Sequence, residues 1–126
     1  MKFKTSGVLF VFVLLMLSLS ATPALADKAS VAIEAPQNAV KGSEIVIRLT
    51  VTHSANTDRH HVEWVKVWAN NQELTKWEFS SSKLPEGVPF TREIKYKIEG
   101  DAEIKAEASC SVHGSKGPAT LKTTVK

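Results

Sequence analysis

One cysteine, Cys110, stands in a chain of 126 residues. An internal disulfide is therefore excluded, and with it the kind of small exported domain that is stapled by bridges. Charge of one sign is also in short supply: 16 Lys and Arg against 13 Asp and Glu leave a formal +3. No basic cluster interleaved with aromatics is present, which argues against a nucleic-acid groove. Beyond residue 26 there is no helix-period segment, no internal repeat, no coiled-coil heptad and no low-complexity tract. Histidine is scarce too, four residues in all, and none precedes His53.

A long apolar run occurs once, at the start. "MKFK" supplies two lysines, "VLFVFVLLMLSLS" is apolar or small throughout, and "TPALA" places small residues at positions −3 and −1 of a cleavage site. This is the pattern of a secretory signal peptide over 1–26, cut between Ala26 and Asp27. The run is short for a membrane anchor, and no cysteine follows that could be acylated. The expectation is an exported chain, periplasmic or extracellular, with no membrane attachment after cleavage. Lys2 and Lys4 leave with the leader, so the mature charge falls from +3 to +1 and gives no support to a nucleic-acid partner. The remaining residues, 27–126, suffice for one small domain.

The mature segment reads as all-β. "EIVIRLTVTH" sets Ile45, Ile47, Leu49 and Val51 on one face, with His53 on the same parity. "AEIKAEASCSV" does the same with Ala102, Ile104, Ala106, Ala108, Cys110 and Val112. "SVAIEA", "HVEWVKVWA", "LTKWEF", "FTREIKYKI" and "ATLKTTVK" supply five more candidate strands, separated by "PQNAVKGS", "NNQ", "EGD" and "HGSKGP". Seven strands with turns at this spacing predict an antiparallel β-sandwich of immunoglobulin-like type.

A lone thiol outside the cytoplasm is open to oxidation unless it is buried, paired with another chain or bound to a metal. The histidines bear on that choice. His53 closes the second strand, His60 and His61 open the third, and His113 follows Cys110 by three residues at the end of the sixth. Up-and-down ordering can bring those strand ends together, so His53, His60, Cys110 and His113 are candidate ligands of one ion. Imidazole and thiolate suit iron, zinc or copper. Spacing to Trp64 favours His60 over His61, and strand alternation then points His61 to the opposite, solvated face. The plainer reading of Cys110 is a small buried hydrophobe on an apolar face. Trp64, Trp68 and Trp77 read as core and sheet-face aromatics.

"HSANTDRHHVEWVKVW" followed by "CSVHG" resembles the iron-binding domain of the superoxide reductases, the desulfoferrodoxin and neelaredoxin family. The resemblance covers roughly 46–117 and implies an immunoglobulin-like sandwich. It implies a mononuclear non-haem iron held by imidazoles and an axial thiolate, with His53, His60 and His113 matching three imidazoles and Cys110 the thiolate. The implied activity is one-electron reduction of superoxide to hydrogen peroxide, with a small redox protein as electron donor and a homo-oligomer as a possible assembly. A lysine in the family's N-terminal Glu-Lys-His motif draws in the anion, and Lys28 would fill that role if "DKA" is the remnant of the motif. The departures are specific. Ala29 stands where that motif has its histidine, Ser54 and Ser111 replace the family's Pro and Asn, and the His53–His60 loop has one residue more than the family pattern. Three imidazoles and a thiolate also suit a non-enzymatic metal-binding or electron-transfer module, and a sandwich with a vestigial site would bind only a protein partner.

Overall fold

The structure is a computed structural model that describes residues 28–126. The expected leader and its cleavage site lie outside the described residues. Among those described, eight strands form: β1 (Ser30–Glu34), β2 (Asn38–Ala39), β3 (Glu44–Thr52), β4 (Val62–Ala69), β5 (Gln72–Glu78), β6 (Phe90–Lys97), β7 (Ala102–Cys110) and β8 (Ala119–Val125). No helix among them is long and apolar enough to cross a membrane.

The strands make two sheets, ordered β1-β3-β6 and β2-β8-β7-β4-β5. The architecture is an immunoglobulin-like β-sandwich. Its ladders are antiparallel except for the two-residue pairing of β2 with β8, which is parallel. That short β2 is the strand added to the seven expected, and it lies inside the "PQNAVKGS" turn region.

Period-two alternation decides which residues enter the core. Ile47, Leu49 and Val51 of β3 are fully buried, as are Val65 and Val67 of β4 and Ile104, Ala106 and Ala108 of β7. Burying each Val, Leu or Ile contributes about 1.5–3 kcal/mol, so these two facing rows supply much of the drive for the sheets to close. On the outer face of the larger sheet, Lys66 and Lys105 lie over the half-buried rings of Trp64 and Trp68, 4.6 and 4.8 Å from the ring centroids. Trp77, on β5, packs instead against the core.

The turns follow from local chemistry. Asn70 and Asn71 join β4 to β5 with φ of 49° and 66°, values that asparagine tolerates better than most residues. Gln72, expected in that turn, is already the first residue of β5. Asn70 also donates through Nδ2 to the Asp101 carbonyl at 3.1 Å and accepts from the Glu103 amide at 2.9 Å, which ties the hairpin to the start of β7.

Candidate metal centre

Three chain segments meet at one end of the sandwich. His53 follows the last residue of β3, in the smaller sheet. His60 and His61 immediately precede β4, and Cys110 ends β7, both in the larger sheet. Antiparallel pairing of Val62 with Cys110 fixes the start of β4 against the end of β7. The contact continues past the strands. The Ser111 amide donates to the His61 carbonyl at 2.8 Å, and the His61 amide donates to Ser111 Oγ at 3.2 Å. Ser111 thus joins one histidine-bearing segment to the other, a role that its identity as a substituted residue did not announce.

"CSVHG" is a closed loop rather than a continuation of the strand. The Cys110 amide donates to the Gly114 carbonyl at 2.9 Å, and the Gly114 amide returns to the Cys110 carbonyl at 3.2 Å. Gly114 has φ of 77°, a left-handed conformation that glycine adopts without steric cost. The turn aims the Val112 and His113 amides at Cys110 Sγ, each at 3.4 Å. A sulfur that accepts two N–H groups is in surroundings that suit a ligand carrying negative charge. The same turn removes Val112 from the buried face on which alternation placed it, and it is 57% exposed.

The imidazoles are oriented by their backbone partners. His53 is buried, and its Nδ1 lies 2.6 Å from the Ala55 carbonyl oxygen. A carbonyl only accepts, so Nδ1 carries the proton and Nε2 is the nitrogen that can face a metal. The rings of His53 and His60 meet edge to face at 4.7 Å, and those of His60 and His113 at 5.0 Å. His60, His53 and Cys110 each offer a ligand atom, and these atoms lie within 4.8 Å of one another. His113, on the exposed rim, joins them through His60, with its Nδ1 3.3 Å from His60 Nε2. Two nitrogens bonded to one ion at about 2.1 Å sit about 3 Å apart when adjacent and about 4 Å apart when opposite. The 3.3 Å His60–His113 spacing falls in that range, while the 4.8 Å spread of the other three donors is somewhat wider and His113 lies outside their group; the mixed imidazole and sulfur set fits a borderline divalent ion.

His61 departs from the expected position. It is 7% exposed rather than solvated, and its Nδ1 donates to the Thr57 carbonyl at 3.0 Å. Alternation counted back from Trp64 failed because β4 begins only at Val62, and its pairing with β7 shifts register between Val62 and Trp64.

The N-terminal segment lies against the same end. The Ala29 amide donates to the Gly114 carbonyl at 3.3 Å, and the Lys116 amide donates to the Ala29 carbonyl at 3.0 Å. Ser30 pairs with Thr52, so extending that register by one residue sets Ala29 opposite His53. Ala29 is fully buried and presents a methyl group. Lys28, half-buried, immediately precedes it.

Asn56 was not singled out by its sequence setting, a polar loop with no period. Its Nδ2 donates to the Pro85 carbonyl at 2.8 Å, across 29 residues of chain.

Known proteins share this chain's sequence family pattern and its fold. The family model for desulfoferrodoxin matches residues 22–115. None of the curated proteins compared matches the chain. Among solved structures, a superoxide reductase (neelaredoxin) from Ignicoccus hospitalis superposes with a TM-score of 0.69 at 18% identity, covering 85% of this chain and 89% of that one. A candidate superoxide reductase from Thermotoga maritima gives 0.61 at 26% identity, covering 76% and 85%. The sandwich also resembles a CARDB domain from Pyrococcus furiosus solved with di-metal ions, at 0.56 and 14% identity, covering 79% of this chain and 94% of that one. At 18% and 14% identity, the likenesses to the Ignicoccus and Pyrococcus structures concern the fold alone.

Proposed function

The chain belongs to the desulfoferrodoxin family, and from that premise we propose that it is an exported mononuclear iron protein that reduces superoxide to hydrogen peroxide. The observation that carries the reading is the convergence of the His53, His60 and Cys110 donors within 4.8 Å, with His113 against His60. The leader-like pattern of residues 1–26 supports the exported setting.

When bound, iron supplies a one-electron couple; superoxide takes up one electron and two protons to become hydrogen peroxide. The chain's own residues set the conditions for this. His53, His60 and His113 would hold the ion through imidazole, and Cys110 would hold it through a sulfur kept in place by the Val112 and His113 amides. The Ala55 carbonyl fixes the His53 tautomer, the kind of outer contact that orients a metal-binding ring. Lys28, beside Ala29, contributes positive charge that favours approach of an anion. A small redox protein returns the electron.

Ala29 favours a second reading. The N-terminal position that borders the centre offers a methyl group instead of an imidazole, which leaves three nitrogens and one sulfur. Such a set holds zinc or copper as well as iron, in a binding or electron-transfer module without turnover.

The test is metal content and the optical spectrum of protein purified from the exported fraction, followed by superoxide consumption in rapid mixing. One iron per chain, a visible band on oxidation and rapid consumption support the first reading. One colourless zinc supports the second. Absence of stoichiometric metal overturns both.

A further inference from the structure

We infer that Asn56 is a positioning residue, the anchor that holds the His53–His60 loop in its ligating shape. The inference rests on the proposed metal-binding reading for its purpose, and on hydrogen bonds for its substance.

Three consecutive residues of the loop divide the work. The Ala55 carbonyl receives Nδ1 of His53 at 2.6 Å. Thr57 holds the other two histidines: its amide donates to the His60 carbonyl at 2.8 Å, its carbonyl accepts the His60 amide at 3.3 Å, and the same carbonyl receives His61 Nδ1 at 3.0 Å. Between them, Asn56 reaches out of the loop to the Pro85 carbonyl at 2.8 Å. The segment from His53 to His61 belongs to no strand, so no ladder fixes it. A shift of residue 56 would carry the Ala55 and Thr57 carbonyls with it, and all three rings would turn.

An anchor must be attached to something firm, and the loop holding Pro85 is. Pro85 is buried. Ser80 and Lys83 exchange two backbone hydrogen bonds of 3.0 Å before it. After it, Arg92 donates to both carboxylate oxygens of Glu86, at 2.7 and 3.0 Å. The guanidinium also lies 5.4 Å from the Phe79 ring centroid and 5.0 Å from that of Phe90.

The chemistry of the side chain points the same way. Asn56 Oδ1 is buried with no hydrogen-bond partner, a penalty that a threonine or alanine at this position would avoid. What the amide offers in return is the Nδ2 donor, which the Pro85 carbonyl needs. Aspartate has the same shape but no donor there, and would set oxygen against oxygen.

The experiment compares the native chain with Asn56→Asp and Asn56→Ala in two measurements. Nitrogen NMR of the metal-free protein reads the His53 tautomer, and optical titration with cobalt(II) chloride reads affinity and ligand geometry. In the native protein the His53 signals should report a proton on Nδ1. In both variants they should move toward the averaged values of a free imidazole, cobalt affinity should fall roughly 10–100-fold, and the cobalt bands should shift. If Asn56→Asp does not fold, Asn56→Ala carries the comparison. A native protein that binds no cobalt, with His53 signals that still respond to the substitutions, overturns the metal reading and leaves the anchor supported. His53 signals and cobalt titrations identical in all three proteins overturn the anchor.

Discussion

Replacing Gly114 with alanine adds one methyl group where no neighbouring atom lies within 4 Å of the new carbon. Steric exclusion by neighbours is thus removed from the problem, and the backbone remains. With φ at 77°, an L side chain there costs about 1–2 kcal/mol. Alanine also narrows the unfolded ensemble, which returns about 0.4–1 kcal/mol. The net loss should be about 1 kcal/mol, equivalent to about 4–8 °C in Tm for a domain of this size. Gly100 is the matched control, since it too has no atom within 4 Å but has no left-handed φ. Gly100→Ala should leave Tm unchanged or raise it by a few degrees. Gly114→Asn should fall between the two, because asparagine tolerates the left-handed region. Thermal unfolding of the four proteins by circular dichroism is the assay. If Gly114→Ala melts together with Gly100→Ala, the conformational argument is wrong. The same substitution should also disturb the loop that aims the Val112 and His113 amides at Cys110, and so shift any visible band of the iron-loaded protein.

Cys110→Ser should stay folded, with a loss of about 1 kcal/mol, since the hydroxyl can take the two amide bonds now made by sulfur. Its iron-loaded form should lack thiolate charge-transfer absorption; an unchanged visible spectrum rules out sulfur ligation. Ala29→His places an imidazole at a fully buried position beside the Gly114 loop. We expect it to destabilise the metal-free domain by about 1–3 kcal/mol, as overpacking does, while slowing loss of iron to a chelator; unchanged iron retention would show that residue 29 does not border the metal. The hydrogen bonds from Arg92 hold the Glu86 carboxyl below its ordinary value. A depressed value in the folded state stabilises the protein above the unfolded carboxyl range, about pH 4, and that contribution is lost as pH falls through the folded value. The native protein should therefore exceed Glu86→Gln by less than about 1 kcal/mol at neutral pH, because the Glu86 carboxylate is largely exposed and screened by solvent, and the gap should close in acid. A gap that widens in acid contradicts this sign.

The core was legible because it is written in a two-residue period. Ile45, Ile47, Leu49 and Val51 alternate on β3, and all four are buried. Alternation reports only while the chain stays extended, which is why it misplaced Val112 beyond the end of β7 and His61 before the start of β4. β2 escaped notice for a different reason: two residues paired with the distant end of β8 carry no pattern of their own. At the candidate centre, residue types with metal-binding chemistry marked His53, His60, Cys110 and His113, and strand order brings their segments to one end. The supports are less visible. Asn56 and Ser111 act through hydrogen bonds to residues 29 and 50 positions away, contacts set by tertiary structure and not by any local spacing.

The two sheets give the centre a mechanical consequence. His53 hangs from the smaller sheet, while His60, Cys110 and His113 belong to strands and turns of the larger one. An ion shared among them would be a cross-tie between layers, in a chain whose single cysteine forbids a covalent one within it. It would close the long chain loop between residues 53 and 110, and free metal concentration would then become a term in the unfolding equilibrium. Each tenfold rise above the dissociation constant adds about 1.4 kcal/mol of resistance to unfolding. Stripping the metal should let the layers part first at this end, and refolding in a metal-poor setting should yield a domain that is sound at the far end and loose at the near one.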